Sequence, residues 1–235
     1  MPRWYKGFKR SAVNDAVKDE SSKPGAKALA RNLVPEGWHQ EREIYLRLGD
    51  HAGRIYAGLR LRDKLGMKLP TQSTVTLPKP AVVFVCYGNI MRSPMAAEMM
   101  KREISARNLP PLLQVHSAGL HAKPGNSAHP LAVAAGREIG IPLAGHRAEL
   151  LTDHLVEQAG ALFAMDFQNA AELLARFPQA RDRIYMLGQF RHESGSPIEI
   201  PDPFFTGAEG TRQCYQVLQR CVHNLVDELE NYAKG

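Results

Sequence analysis

Cysteine is scarce in this chain of 235 residues: there are three, unevenly placed at 86, 214 and 221. That count excludes the paired framework of a disulfide-stapled secreted domain and suits a reducing cytoplasm. Long apolar runs are missing as well. The longest, Ala81-Val82-Val83-Phe84-Val85-Cys86-Tyr87, falls far short of the ~20 residues that a membrane-spanning helix needs. The N-terminal segment has no apolar stretch of the ~7–15 residues found in a secretory leader, so a cytoplasmic location is expected. No Gly-Lys-Ser/Thr occurs, which argues against Walker-type nucleotide binding. The histidines show no ligand spacing around a second cysteine, so neither a metal nor another cofactor is expected.

What is present is a hydrophobic content of 44%, enough for a real core, and a charge that is unevenly spread. Residues 1–75 carry 15 Lys+Arg against 8 Asp+Glu, whereas residues 76–235 carry 15 against 16. The whole basic excess sits in the N-terminal third, and this step is the best boundary signal. Residues 1–75 are therefore expected to be a basic extension, and residues 76–235 a separate domain. Residues 1–33 are polar and basic and bury little, so flexibility is expected. Between about 40 and 65, Ile44, Leu46, Leu48, Ile55, Tyr56, Leu59, Leu61 and Leu65 alternate with charges in the manner of short amphipathic helices. Three prolines in 69–80 mark a linker.

Strands and helices then alternate. Residues 81–86 form a continuously apolar, β-branched run, as in a buried parallel strand. Further strands are expected at 112–117, 161–165 and 183–187. Helices are expected at 93–108, 131–139, 166–177 and 209–232, with Asp166 capping the third. This pattern predicts an α/β fold: a three-layer αβα sandwich on a four-stranded parallel sheet, flavodoxin-like, with an N-terminal extension.

The informative segment follows the first strand: Cys86-Tyr87-Gly88-Asn89-Ile90-Met91-Arg92-Ser93. A nucleophile, five residues and an arginine lie between a buried strand and a helix start. That position is the carboxyl end of a strand, where open α/β sheets bind ligands. Loop N–H groups and the positive end of the helix converge there on an anion. Arg92 brings a planar fork for two phosphate oxygens. A thiol in such a field ionises more readily than a free one, and the Ser93 hydroxyl can donate to it. A thiolate facing a captured phosphate is suited to nucleophilic phosphoryl transfer. A lone Cys-x5-Arg is more often a core cysteine beside a surface arginine; the strand before it and the Ser-Pro helix start after it give the spacing its meaning.

Residues Val83 to Glu98 resemble the signature of the low-molecular-weight protein-tyrosine phosphatases. The resemblance continues through Ser117-Ala118-Gly119, Gly145-His146-Arg147-Ala148, Met165-Asp166-Phe167-Gln168-Asn169 and Ile200-Pro201-Asp202-Pro203-Phe204-Phe205, covering about 81–231. It implies phosphotyrosine hydrolysis through a phosphocysteine on Cys86, with Arg92 gripping phosphate. The loop Tyr87, Gly88, Asn89, Ile90, Met91, Arg92 and Ser93 would bind that phosphate. Asp202 would be the acid that protonates the leaving phenol and then the base that activates water. Asn89, Ser93, Ser117 and His146 would prop the phosphate loop, and Tyr87, Ile90, Phe204 and Phe205 would wall an aromatic pocket. Ile90 fits the tyrosine-specific branch, because the related arginine phosphatases carry Thr there. Met91 replaces the second loop cysteine of many members, so a protective disulfide with Cys86 is lost.

The thioredoxin-coupled arsenate reductases share this fold and loop but need two relay cysteines. The position expected for the first is Gln158. Cys214 and Cys221 lie seven apart on the last helix, about 10 Å at 1.5 Å per residue, too far for a disulfide. They are expected in the core. A silent phosphotyrosine-binding module would have lost Cys86, Arg92 or Asp202, and all three are present. Segments 117–130 and 186–190 resemble the bacterial exopolysaccharide and capsule enzymes most, which implies a phosphotyrosine protein substrate such as a bacterial tyrosine kinase tail. The basic extension suits contact with such an acidic tail or with an anionic membrane surface; no nucleic-acid partner is expected.

Overall fold

The computed structural model of the chain describes residues 36–67, 69, 71, 75–107, 113–193 and 195–234. The expectation for 1–33 lies outside these residues. Four strands, β1 (Ala81–Cys86), β2 (Gln114–Gly119), β3 (Ala159–Ala164) and β4 (Ile184–Met186), make one sheet in the order β2-β1-β3-β4. All three pairings are parallel, and the order is the doubly wound, flavodoxin-like one. The six main helices are α1 (Glu36–Lys64), α2 (Arg92–Ala106), α3 (Pro130–Glu138), α4 (Asp153–Gln158), α5 (Phe167–Arg176) and α6 (Gly207–Lys234).

The period of two along β1 divides its side chains between two cores. Val82, Phe84 and Cys86 join one, with Met95 and Met99 of α2, Ala132 of α3, and Leu218 and Leu225 of α6. Val83 and Val85 join the other, with Val156 of α4, Phe167 and Leu173 of α5, and Tyr56 and Leu59 of α1. Helices thus cover both faces, and the expected αβα sandwich is what forms. Cys214 and Cys221 are buried on α6, and burial pushes their thiols up to about 12 and about 11, respectively.

Helix α1 breaks at Gly49, whose φ of 75° and ψ of 173° are non-helical. Glycine adopts that positive φ without the Cβ clash that other residues meet, and the result is two short helices, as the sequence pattern suggests. The second half carries Tyr56 and Leu59 into the core, while Leu46, Leu61 and Leu65 remain exposed. Burial of Leu59 alone contributes about 1.5–3 kcal/mol. The compact unit that holds the sheet runs from Glu41 to Gly235. The charge step at 75/76 therefore falls inside that unit: composition records which residues are basic, whereas packing follows the apolar stripe, which begins earlier.

Candidate active site

Strand β1 ends at Cys86, opposite Gly119 of β2. The loop that follows is pinned to the next chain segment by Leu120 N–H to Cys86 O at 2.9 Å and His121 N–H to Tyr87 O at 2.8 Å. This close passage needs glycine at 119, because a Cβ there would lie 2.8 Å from both Asn89 N and Tyr87 O. Helix α2 then starts at Arg92 with no side chain capping its first N–H groups, so its positive end is left to an anion.

Asn89 organises the loop. It is fully buried and left-handed at φ 52°, a region that asparagine tolerates better than most residues. Its Oδ1 accepts the Glu149 N–H at 2.9 Å, which leaves Nδ2 to donate to Ser93 Oγ and Ser117 Oγ, each at 2.9 Å. The Asn89 carbonyl accepts His146 Nε2–H at 2.7 Å. Ser93 Oγ accepts from Asn89 and lies within hydrogen-bond reach of both the Ala118 carbonyl, at 3.3 Å, and Cys86 Sγ, at 3.0 Å. The Asn89 backbone N–H donates to the same sulfur at 3.3 Å. Asn89, Ser93, Ser117 and His146 therefore sit together around the loop, with Tyr215 of α6 donating to Met91 O from behind at 3.3 Å.

Arg92 is 2% exposed and bonded on both prongs. Nη1 donates to Asp166 Oδ2 at 2.6 Å and to Ile200 O at 3.0 Å; Nη2 donates to Asp202 Oδ2 at 2.8 Å. Burial alone would lower the basicity of the guanidinium. Asp166, then Asp202 and Cys86, more than reverse this and hold it charged. The two carboxylates differ in access: the Asp166 side chain is 13% exposed, that of Asp202 48%. Asp166 also caps α5 through Asn169 N–H, as expected, and its second oxygen serves Arg92. Asp202 caps the short turn Pro203–Phe205 through Phe204 N–H and turns its second oxygen to the arginine.

Of the expected pocket residues, Phe204 packs between His129 and Phe205, and the His129 N–H holds the Ile90 carbonyl. Tyr87 stacks on His121 with ring centroids 4.5 Å apart, and His121 Nε2 is held by Glu172 at 2.6 Å. The sequence reading missed His121, the pairing of Asp166 with Arg92, and Glu199, whose Oε1 accepts the Phe167 N–H. The quoted Met165-Asp166 motif was a signal for the second of these only. A cavity of about 460 Å³, lined by Asp63, Leu69, Gln189 and Ile198 among others, lies elsewhere and includes no residue of the Cys86 loop. Among the described residues no cluster of His, Cys, Asp and Glu could hold a metal ion.

A thiol at the end of a buried strand, an uncapped helix start just after it and a buried arginine at that start are the parts of a cysteine-dependent phosphatase. The model of the family described as low molecular weight phosphotyrosine protein phosphatase matches residues 81–234; the chain belongs to that family. It is 31% identical over 141 residues to the probable low molecular weight protein-tyrosine-phosphatase EpsP of Ralstonia nicotianae, an alignment covering 60% of this chain and 90% of EpsP. It is 34% identical over 149 residues to a protein-arginine-phosphatase of Geobacillus stearothermophilus, covering 63% and 95% respectively. Among solved structures, the tyrosine phosphatase Wzb from Escherichia coli K30 in complex with sulphate aligns with a TM-score of 0.57 at 27% identity, over 64% of this chain and 99% of Wzb.

Proposed function

We propose that the chain is a protein-tyrosine phosphatase, a phosphoric monoester hydrolase that acts through a phosphocysteine on Cys86. The observation that carries this reading is Cys86 Sγ, held by the Asn89 N–H and in contact with Ser93 Oγ, beside a buried, charged Arg92 that reaches Asp202. In the first step Cys86 Sγ attacks phosphorus, the phosphorus–oxygen ester bond breaks, and protonated Asp202 gives its proton to the departing phenolic oxygen. In the second step a water gives a proton to the Asp202 carboxylate and attacks the phosphocysteine. The sulfur–phosphorus bond breaks and inorganic phosphate leaves. Arg92 and the loop N–H groups hold the charge that spreads over the phosphoryl oxygens. Asp202 and the phosphate share Arg92, so capture of phosphate by the guanidinium frees the acid for the ester oxygen. The aromatic set Phe204 and Phe205 with Ile90 suits a phenolic ester.

The substrate is a phosphotyrosine protein. The tyrosine-rich tail of a bacterial tyrosine kinase is the partner proposed, because its phosphates would attract the basic N-terminal third, which suits a peripheral membrane contact as well. Among the described residues no helix is long and apolar enough to cross a membrane, and a cytoplasmic location is proposed. A second reading, phosphoarginine hydrolysis, is supported by the likeness to protein-arginine-phosphatases. Hydrolysis of matched phosphotyrosine and phosphoarginine peptides decides between them. The expected result is a large preference for phosphotyrosine; equal or reversed rates would sink the tyrosine reading.

A further inference from the structure

Arg60 lies outside the family match, on the second half of α1, yet it is tied to the segment that carries the acid. Its Nη1 donates to Glu199 Oε2 at 2.5 Å, across 139 residues of chain. The other oxygen of Glu199 accepts the Phe167 N–H at 2.8 Å. The next residue, Ile200, gives its N–H to Met165 O at 2.7 Å and its carbonyl to Arg92 at 3.0 Å. One carboxylate thereby joins the turn holding Asp166 to the loop leading into Asp202. Both aspartates grip Arg92.

Arg60 is itself held on several sides. Its Nε lies 3.1 Å from a Glu41 oxygen and 3.1 Å from Tyr56 Oη, and Tyr56 in turn donates to Glu41 at 2.6 Å. The guanidinium stands over the rings of Phe167 and Tyr56, 5.3 and 5.6 Å from their centroids. Burial raises the Glu199 carboxyl above its ordinary range, and Asp166 and Asp63 add to this, while the Phe167 N–H and Arg60 oppose it. Without Arg60, a mostly buried carboxylate near Asp166 keeps one neutral donor. It then takes up a proton or turns towards water, and either event releases the loop.

We propose that Arg60 is a positioning residue for the phosphatase reaction, fixing through Glu199 the two loops that present Asp166 and Asp202 to Arg92. The proposal rests on the assignment of Asp202 as the proton donor. A displaced acid is felt most when the leaving group needs its proton. The test uses the full-length chain with Arg60→Met, which keeps an apolar stem over Phe167, and with Arg60→Lys as the conservative variant. Turnover is measured on phenyl phosphate and on 4-nitrophenyl phosphate, whose phenolate leaves readily without protonation. Both rates are normalised to active sites counted by the nitrophenolate burst, so a smaller folded fraction does not enter.

Arg60→Met should lose roughly 10-fold in kcat/KM on phenyl phosphate and less than about 3-fold in kcat/KM on 4-nitrophenyl phosphate, since kcat/KM reports the step in which the phenol leaves. Arg60→Lys should recover part of the loss, and Arg60→Met should add little in an Asp202→Ala background. Equal losses on both substrates, or none, would overturn the proposal provided that Asp202→Ala alone discriminates between them. If Asp202→Ala does not discriminate either, the acid assignment fails and this proposal falls with it.

Discussion

The Cys86 loop and the Arg60 brace are both polar networks set against an apolar core, but they are spaced very differently along the chain. Cys86 and Ser93 are seven residues apart and Asn89 and Ser93 four; Arg92 and Asp166 are 74 apart, Arg60 and Glu199 139. The groups that hold and attack phosphorus share one turn, so a single strand and helix start can build them. The groups that aim the acid arrive from distant elements and meet only when both faces of the sheet are covered. Phosphate capture and nucleophilic attack are thus concentrated in one peptide, while the acid and its alignment are spread over the fold.

That contrast is open to four tests, given from the largest expected effect to the smallest. Cys86→Ser should lower turnover of 4-nitrophenyl phosphate by at least ~10⁴-fold, because the hydroxyl is not ionised near neutral pH. Its urea midpoint should stay close to that of the parent. Residual hydrolysis well above background would remove Cys86 as the nucleophile. Truncation probes the other region. A chain of residues 41–235 should fold and turn over 4-nitrophenyl phosphate normally, whereas residues 76–235 lack Tyr56, Leu59 and Arg60. At about 2–5 kcal/mol for each large buried side chain removed, the shorter chain forfeits much of the ~5–15 kcal/mol that a domain has. Equal urea midpoints for the two chains would mean that α1 adds nothing to stability.

Leu59→Ala is the gentler version of the same cut. Leu59 is 1% exposed in the second core, and about 2–4 kcal/mol of stability should be lost. The rate per folded molecule should remain near normal, since Arg60 is retained; a comparable fall in kcat would tie packing to the chemistry more tightly than the geometry indicates. The smallest effect concerns pH. Burial lowers the basicity of His129, whose Nδ1 accepts the Leu131 N–H at 3.3 Å at the start of α3. A depressed histidine contributes stability that is present above its ordinary value of ~6.5 and is lost as the pH falls through its lower folded value. His129→Gln should therefore flatten slightly the fall in urea midpoint between about pH 7.5 and 5.5. An unchanged slope would show that other groups account for it.

How much of this was legible in the sequence follows from the same spacing. Strand β1 was read with its bounds because six consecutive apolar residues admit few alternatives. Strand β2 lies two residues later than expected, at Gln114–Gly119. Gln114 and His116 interrupt its apolar pattern at the sheet edge, and full burial begins only at Ala118. The six-residue α4 escaped notice, as it offers one fully buried side chain, Val156. Cys86, Arg92, Ser93 and Asp202 stand in short motifs that the sequence displays. Asp166 reads as a cap and is one; apart from its place in the Met165-Asp166 motif, nothing local marks its bond to Arg92. Arg60 and Glu199 sit among many other charges in their segments, and nothing in periodicity or composition marks which two will meet.

The order in which these parts leave the ribosome gives the Arg60–Glu199 pair a further consequence. At roughly 5–20 residues per second, Glu199 is made some 7–30 s after Arg60. Tyr56 and Leu59 reach solution before Phe167 and Leu173, which cover them in the finished core. For that interval the nascent chain carries an apolar stripe whose covering residues do not yet exist. The element that aligns the acid is among the first made and can dock only after the rest of its sheet face has been synthesised.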